Sequence, residues 1–138
     1  MDQREVNKKV VEQFREGGEI EGMHRDRLLL LTTIGAKSGE EQVTPMMFVR
    51  NHEDEVYVVA SNNGAQRDPI WYRNLLQDAS VGIEVGDETY KGLASTLKGA
   101  ARTSAWESIL KVAPFFAEHQ KQANREIPVV ALTRVDDN

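Results

Sequence analysis

The segment Gly35-Ala36-Lys37-Ser38-Gly39 sets a primary amine and a hydroxyl between two glycines, directly after the apolar run at 28–31. Glycines let a turn expose successive N–H groups, serine adds a hydroxyl donor and lysine adds charge, so the turn is chemically able to hold a phosphate or carboxylate. The same residues also suit a plain hairpin turn. Spacing alone leaves both readings open. It is not a nucleotide-hydrolysing phosphate loop: the first glycine of that motif is missing, Ala36 precedes the lysine, and the chain runs on into a strand-like segment.

Other reactive side chains are sparse. His24, His52 and His119 are scattered without metal-ligand spacing, so no metal is expected. His119 follows Glu118 on a late helical segment, where it is either a solvated polar pair or a proton-transfer group. Ser61 ends the stretch VYVVAS and is either a turn initiator or a hydroxyl placed to meet a ligand. There is no GxGxxG fingerprint and no serine in a nucleophile elbow. Cysteine is absent altogether, which removes thiolate ligands, cysteine nucleophiles and disulfides. If the chain is an enzyme, a bound cofactor carries the reaction.

The elements that position these residues follow from patterning. The chain has 138 residues, 40% hydrophobic and 28% charged, which suits one domain with a core. A formal net charge of −5 argues against wholesale nucleic-acid binding. The charged N-terminus lacks the apolar core of a signal peptide, and the run at 28–31 is too short to cross a bilayer, so a cytoplasmic protein is expected. Nothing in the sequence specifies an oligomeric state.

Residues 2–16 read as a helix whose Val6, Val10, Val11 and Phe14 form one apolar stripe. Core packing is the expected use of that stripe. Lys8, Lys9 and Arg15 make a membrane-surface face the minor alternative.

Segments 27–34, 42–50 and 56–61 read as strands, the second marked as an edge or bulge by Pro45. A polar turn spans 51–55. Asp68 before Pro69 suggests a capped helix start. A hairpin covers 81–97, helices are expected at 103–111 and 115–125, and 127–135 closes as a strand. Short turns between about six strands favour a small antiparallel barrel in a single domain over 1–138, with the N-terminal helix at 1–18 and the barrel with its helices at 27–135.

Taken in order, LLLLTTIGAKSG, VTPMMF, VVASNNGA, PIWYRNLL and REIPVVAL resemble the deazaflavin-dependent nitroreductases and F420H(2)-dependent quinone reductases. The resemblance covers about residues 28–132. It implies a mainly β fold with peripheral helices, a split antiparallel β-barrel of the FMN-binding type, and coenzyme F420 as cofactor. It further implies that Lys37 and Ser38, with the backbone of Ala36, hold the coenzyme's phosphate and acidic tail. Gln42, Val43, Thr44, Pro45, Met46 and Met47 would line the deazaflavin from one side. Val59, Ala60, Ser61 and Asn62 would line it from another, with Ser61 near the rings. In the segment Ile70, Trp71, Tyr72, Arg73 and Asn74, the tryptophan would lie against the cofactor and Asn74 would point toward its polar chain. Read from the residues alone, Trp71 and Tyr72 are more often core than cofactor wall.

Departures from the family pattern narrow the acceptor. Ala36 and Gln42 stand where relatives often carry arginine, leaving Arg25, Arg27, Arg67 or Arg73 to compensate. Met47, Ala113, Phe116 and His119 occupy the pocket positions at which the family's nitroreductase shows tyrosines. A more apolar pocket suits a quinone, coumarin or other conjugated carbonyl better than a nitro compound. The expected function is hydride transfer from reduced F420 to such a small molecule, with Ser61 and His119 the candidates for catalytic groups. The alternatives are an FMN-dependent split-barrel oxidoreductase and a non-catalytic F420-binding protein.

Overall fold

The computed structural model describes residues 3–17, 25–51 and 55–135. His24, His52 and most of the expected polar turn at 51–55 lie outside the described residues. Helix α1, Gln3–Glu16, turns Val6, Val10, Val11 and Phe14 onto Leu28, Leu30 and Val43 of the sheet. That stripe is therefore spent on core packing. Arg15 near its end holds Glu84 through two bonds of 3.0 and 2.8 Å, which raise the guanidinium pKa. This exposed pair orients the helix more than it stabilises it.

Among the described residues, seven strands make one antiparallel sheet: β1 Leu28–Ile34, β2 Glu41–Met47, β3 Val49–Arg50, β4 Val56–Val59, β5 Ser80–Val85, β6 Glu88–Thr96 and β7 Val129–Arg134. Their order is β2-β1-β5-β6-β7-β4-β3. The continuous apolar run of β1 is explained by burial on both faces. Leu28 and Leu30 meet α1, while Leu29 and Leu31 face an inner core that includes Val58, Ile83, Val130, Trp71 and Leu75.

The strand expected over 42–50 is divided at Phe48. Its first part, β2, is one edge of the sheet, and its second part, β3, is the other. One segment thus supplies both edges, and the sheet curls round on itself.

Helix α2, Ile70–Gln77, starts after Pro69 without a side-chain cap. The expected cap, Asp68, pairs with Arg125 instead. Helix α3, Gly99–Val112, begins earlier than expected. Helix α4, Phe116–Gln122, ends earlier, leaving Ala123 to Ile127 as irregular chain. These two helices close a second core in which Ala105, Ile109, Ala113 and Phe116 pack on Val49, Tyr57, Val129 and Ala131. Among the described residues, no helix is long and apolar enough to cross a membrane.

Candidate functional site

The β3–β4 ladder pairs Val49 with Tyr57 and Arg50 with Val56, then stops. Beyond it β2 and β4 run side by side without a ladder, so the barrel is split between them. Continuing the register would set Met46 opposite Ala60 and Pro45 opposite Ser61. Proline has no N–H, and Pro45 pairs with Leu30, so residue 45 turns its backbone away from β1 and into the split. By the two-residue alternation, Val43 and Met47 do the same with both N–H and C=O. Met46 packs against the inner core and Met47 against the second. The side chains of Val43 and Pro45 lie on the α1 side, so these two positions offer the split only their backbone. Thr44 is half-buried on the inner face.

The lysine turn precedes β2 and is tightly built. Gly35 donates to the Glu40 carbonyl at 2.8 Å, Gly39 donates to the Gly35 carbonyl at 2.9 Å, and Glu40 N–H donates to Ser38 Oγ at 3.1 Å. A Cβ at Gly35 would lie 2.6 Å from Ser38 Oγ and 3.3 Å from the Glu40 carbonyl, so a side chain here would displace the Ser38 hydroxyl from the Glu40 N–H. Ala36 N–H donates to Asn74 Oδ1 at 3.0 Å. Among the described residues, the donors of the turn with no partner are the backbone N–H groups of Lys37 and Ser38, the Ser38 hydroxyl hydrogen and the Lys37 ammonium. Lys37 is exposed and has no ion pair among the described residues.

Asn74, expected to point toward the cofactor's polar chain, spends its amide inside the fold. It is 3% exposed, and its Nδ2 donates to Thr33 Oγ1 at 3.1 Å and Gln42 Oε1 at 2.8 Å. With both amide hydrogens spent, it latches α2 to the lysine turn and to the start of β2. Gln42, also expected at the ligand, gives its carbonyl oxygen to this latch.

Ser61 and His119, separated by 58 residues, meet at the end of β4: Ser61 Oγ lies 3.2 Å from His119 Nδ1. Ser61 is 6% exposed. The imidazole is held edge-on by Phe115 and Phe116, each with ring centres 5.6 Å away. Asn62 opens the 3-10 turn Asn62–Gly64 with φ 49°, and its side chain donates to the Arg67 carbonyl. Gly64, at φ 82°, lies under α4. A Cβ there would come within 2.8 Å of Gln122 Oε1 and 3.2 Å of the His119 carbonyl.

The organising residue of this loop, Arg125, was not among the expected site residues. Its Nη2 donates to the carbonyls of Ala60, Ser61 and Arg67, each at 3.2 Å, and its Nε donates to that of Ala65 at 3.2 Å. Nη1 pairs with Asp68 at 2.7 Å. Gln66 adds a second tie, donating to the Gln122 carbonyl and accepting from Asn124 N–H. Arg125 belongs to the REIPVVAL string, but its reading as a helix end hid the role, and Gln66 carries no local signal.

The remaining expected residues divide cleanly. Trp71 and Tyr72 are buried in the inner core with their rings nearly perpendicular, and the Tyr72 hydroxyl shares a hydrogen bond with Thr96 at 2.8 Å. Val59 is half-buried, Ala60 fully buried, and Ile70 and Arg73 exposed. Ala113 and Phe116 sit in the second core, and the exposed ring beside His119 is that of Phe115. Arg27, Arg67 and Arg73 are exposed, while the Arg25 side chain lies outside the described part. No cluster of metal-binding residues occurs among the described residues.

Residues 3–134 match the family model described as F420H(2)-dependent quinone reductase. An F420H(2)-dependent quinone reductase of Mycobacterium tuberculosis is 34% identical over 109 residues, covering 77% of this chain and 72% of that protein. Among solved structures, an F420-H2 dependent reductase (FDR-A) superposes with a TM-score of 0.71 at 32% identity, over 80% of this chain and 99% of its own. A structure described as a domain-swapped dimer gives 0.73 at 30% identity, over 95% and 99%.

Proposed function

The chain belongs to the F420H(2)-dependent quinone reductase family, and from that premise we propose that it reduces a quinone or another conjugated carbonyl compound held in the split between β2 and β4. The observation that carries this reading is the split itself, with a donor-rich turn at the start of β2 and the Ser61–His119 pair on the β4 side. Coenzyme F420 carries a phosphate and an acidic tail, and the donors of the turn suit them. Among the described residues, the Lys37 ammonium, two backbone N–H groups and the Ser38 hydroxyl have no partner and suit an anion. When bound, the reduced coenzyme supplies a hydride.

The chain's own residues do the rest. Lys37 and Ser38 anchor the anionic end, and the backbone of Val43 and Met47 offers donors and acceptors along one wall. Met46, Met47 and Val59 keep water from the ring faces, and holding the reactants in place recovers much of the entropic barrier. Met47 and the exposed Phe115 make the acceptor side apolar. This favours quinones first, enone lactones such as coumarins second, and nitroimidazoles last.

Fluorescence titration with F420 and with FMN tests the cofactor, and absorbance at the deazaflavin band then follows oxidation of reduced F420. Tighter binding of F420 is expected, with menadione turned over faster than a bicyclic nitroimidazole. FMN binding as tight as F420 would overturn the cofactor. Faster nitroimidazole turnover would overturn the acceptor.

A further inference from the structure

We propose that Ser61 donates the proton to the acceptor oxygen and that His119 is the positioning residue that keeps the Ser61 hydroxyl hydrogen turned into the split. This rests on the function proposed above and adds the source of the proton, which that function leaves open.

The geometry constrains both partners. The Ser61 carbonyl is held by Arg125 Nη2 and by Gly64 N–H, and the preceding Ala60 N–H is bound to the Pro128 carbonyl. The serine backbone therefore has little freedom to turn. On the other side, the imidazole packs against the adjoining rings of Phe115 and Phe116, and α4 is tied to the loop through Gln66. The bond of 3.2 Å joins two elements that are each fixed for other reasons.

A serine hydroxyl has one hydrogen, so the direction of this bond decides what the split receives. With hydrogen on Nδ1, the ring donates to Oγ and the serine hydrogen is free to face a ligand. With Nδ1 bare, the serine gives its hydrogen to the ring and presents only lone pairs. Reduction of a carbonyl acceptor requires the first arrangement, because negative charge develops on oxygen.

The atoms balance. The coenzyme, when bound, would supply the hydride pair for the new bond at the electrophilic carbon of the acceptor. The carbonyl π pair moves to oxygen, which takes the proton from Ser61 Oγ. Ser61 Oγ takes the Nδ1 hydrogen of His119 in turn as the ring takes a proton from solvent at Nε2, and exchange with solvent returns that hydrogen to Nδ1 before the next turnover. The nearby charges are already engaged. Arg125 is paired with Asp68 at 2.7 Å, and Glu118 with Lys121 at 3.4 Å.

The test uses Ser61→Ala, His119→Phe and His119→Asn. Phenylalanine keeps the ring packing and removes the hydrogen bond, whereas asparagine places an amide near the Nδ1 position. In the coenzyme-free protein, nitrogen-15 NMR reads the tautomer, and assignment is tractable because the chain has three histidines. At about pH 8, the parent should carry hydrogen on Nδ1 of His119, and Ser61→Ala should move it to Nε2. With saturating reduced F420, Ser61→Ala should lower kcat for menadione about 100-fold and His119→Phe at least about tenfold, with F420 affinity within about threefold of the parent. His119→Asn should recover most of the loss. A bare Nδ1 in the parent, parental kcat in His119→Phe, or equal loss in His119→Asn and His119→Phe would each overturn the proposal. A parent that does not bind F420 overturns the function and this assignment together, whereas F420 binding with unchanged kcat in the variants overturns this assignment alone.

Discussion

Lys37 in the turn and Asn74 on α2, which latches that turn, should fail differently when removed. Lys37 reaches into solvent with no intramolecular ion pair among the described residues, so Lys37→Ala should leave stability within about 0.5 kcal/mol. Its loss of a charge-assisted contact should weaken F420 binding by roughly 1.5–3 kcal/mol, about 10- to 150-fold. The deficit should shrink with added salt in a fluorescence titration. Asn74→Ala instead leaves the Ala36 N–H and the buried Thr33 hydroxyl without a partner. Urea unfolding should show a stability loss of about 1–3 kcal/mol. The glycines, lysine and serine of the turn were legible because turn chemistry is local. The latch was not, since its partners lie 32, 38 and 41 residues from Asn74.

At the scale of elements, the departures from local expectation converge on the loop between β4 and α2. Asp68 before Pro69 has the pattern of a helix cap, yet its carboxylate goes to Arg125. The segment at 115–125 has good helix formers, yet α4 stops at Gln122. Both differences have one cause: Arg125 must leave the helix to reach the carbonyls of the loop, and Pro128 ensures an extended chain soon after. A long-range demand of several hydrogen bonds outweighs a propensity of a few tenths of a kcal/mol per residue. Arg125→Ala should lower stability by about 1.5–3 kcal/mol and accelerate amide exchange at Ala60 and Ser61. Arg125→Lys should recover little, because an ammonium cannot span the same fork of acceptors. Unchanged exchange in Arg125→Ala would remove the arginine from its organising role.

For the molecule as a whole, the antiparallel class and its peripheral helices follow from short turns between apolar runs. The burial of residues 129–132 in β7 also agrees with their continuous apolar run. Its place between β6 and β4, reached only after two helices, does not follow from any local signal. The division of one segment into β2 and β3 is likewise a property of closure, not of the ten residues concerned. The split that results leaves a row of backbone groups along β2 with no strand hydrogen-bonded to it, and such a row is a template for strands from other molecules. Pro45 interrupts that row at its centre. Pro45→Val should restore a continuous donor edge, and light scattering should then show concentration-dependent self-association that F420 suppresses by covering the edge. The opening proposed for the ligand is thus also an edge open to aggregation, and one missing N–H guards it.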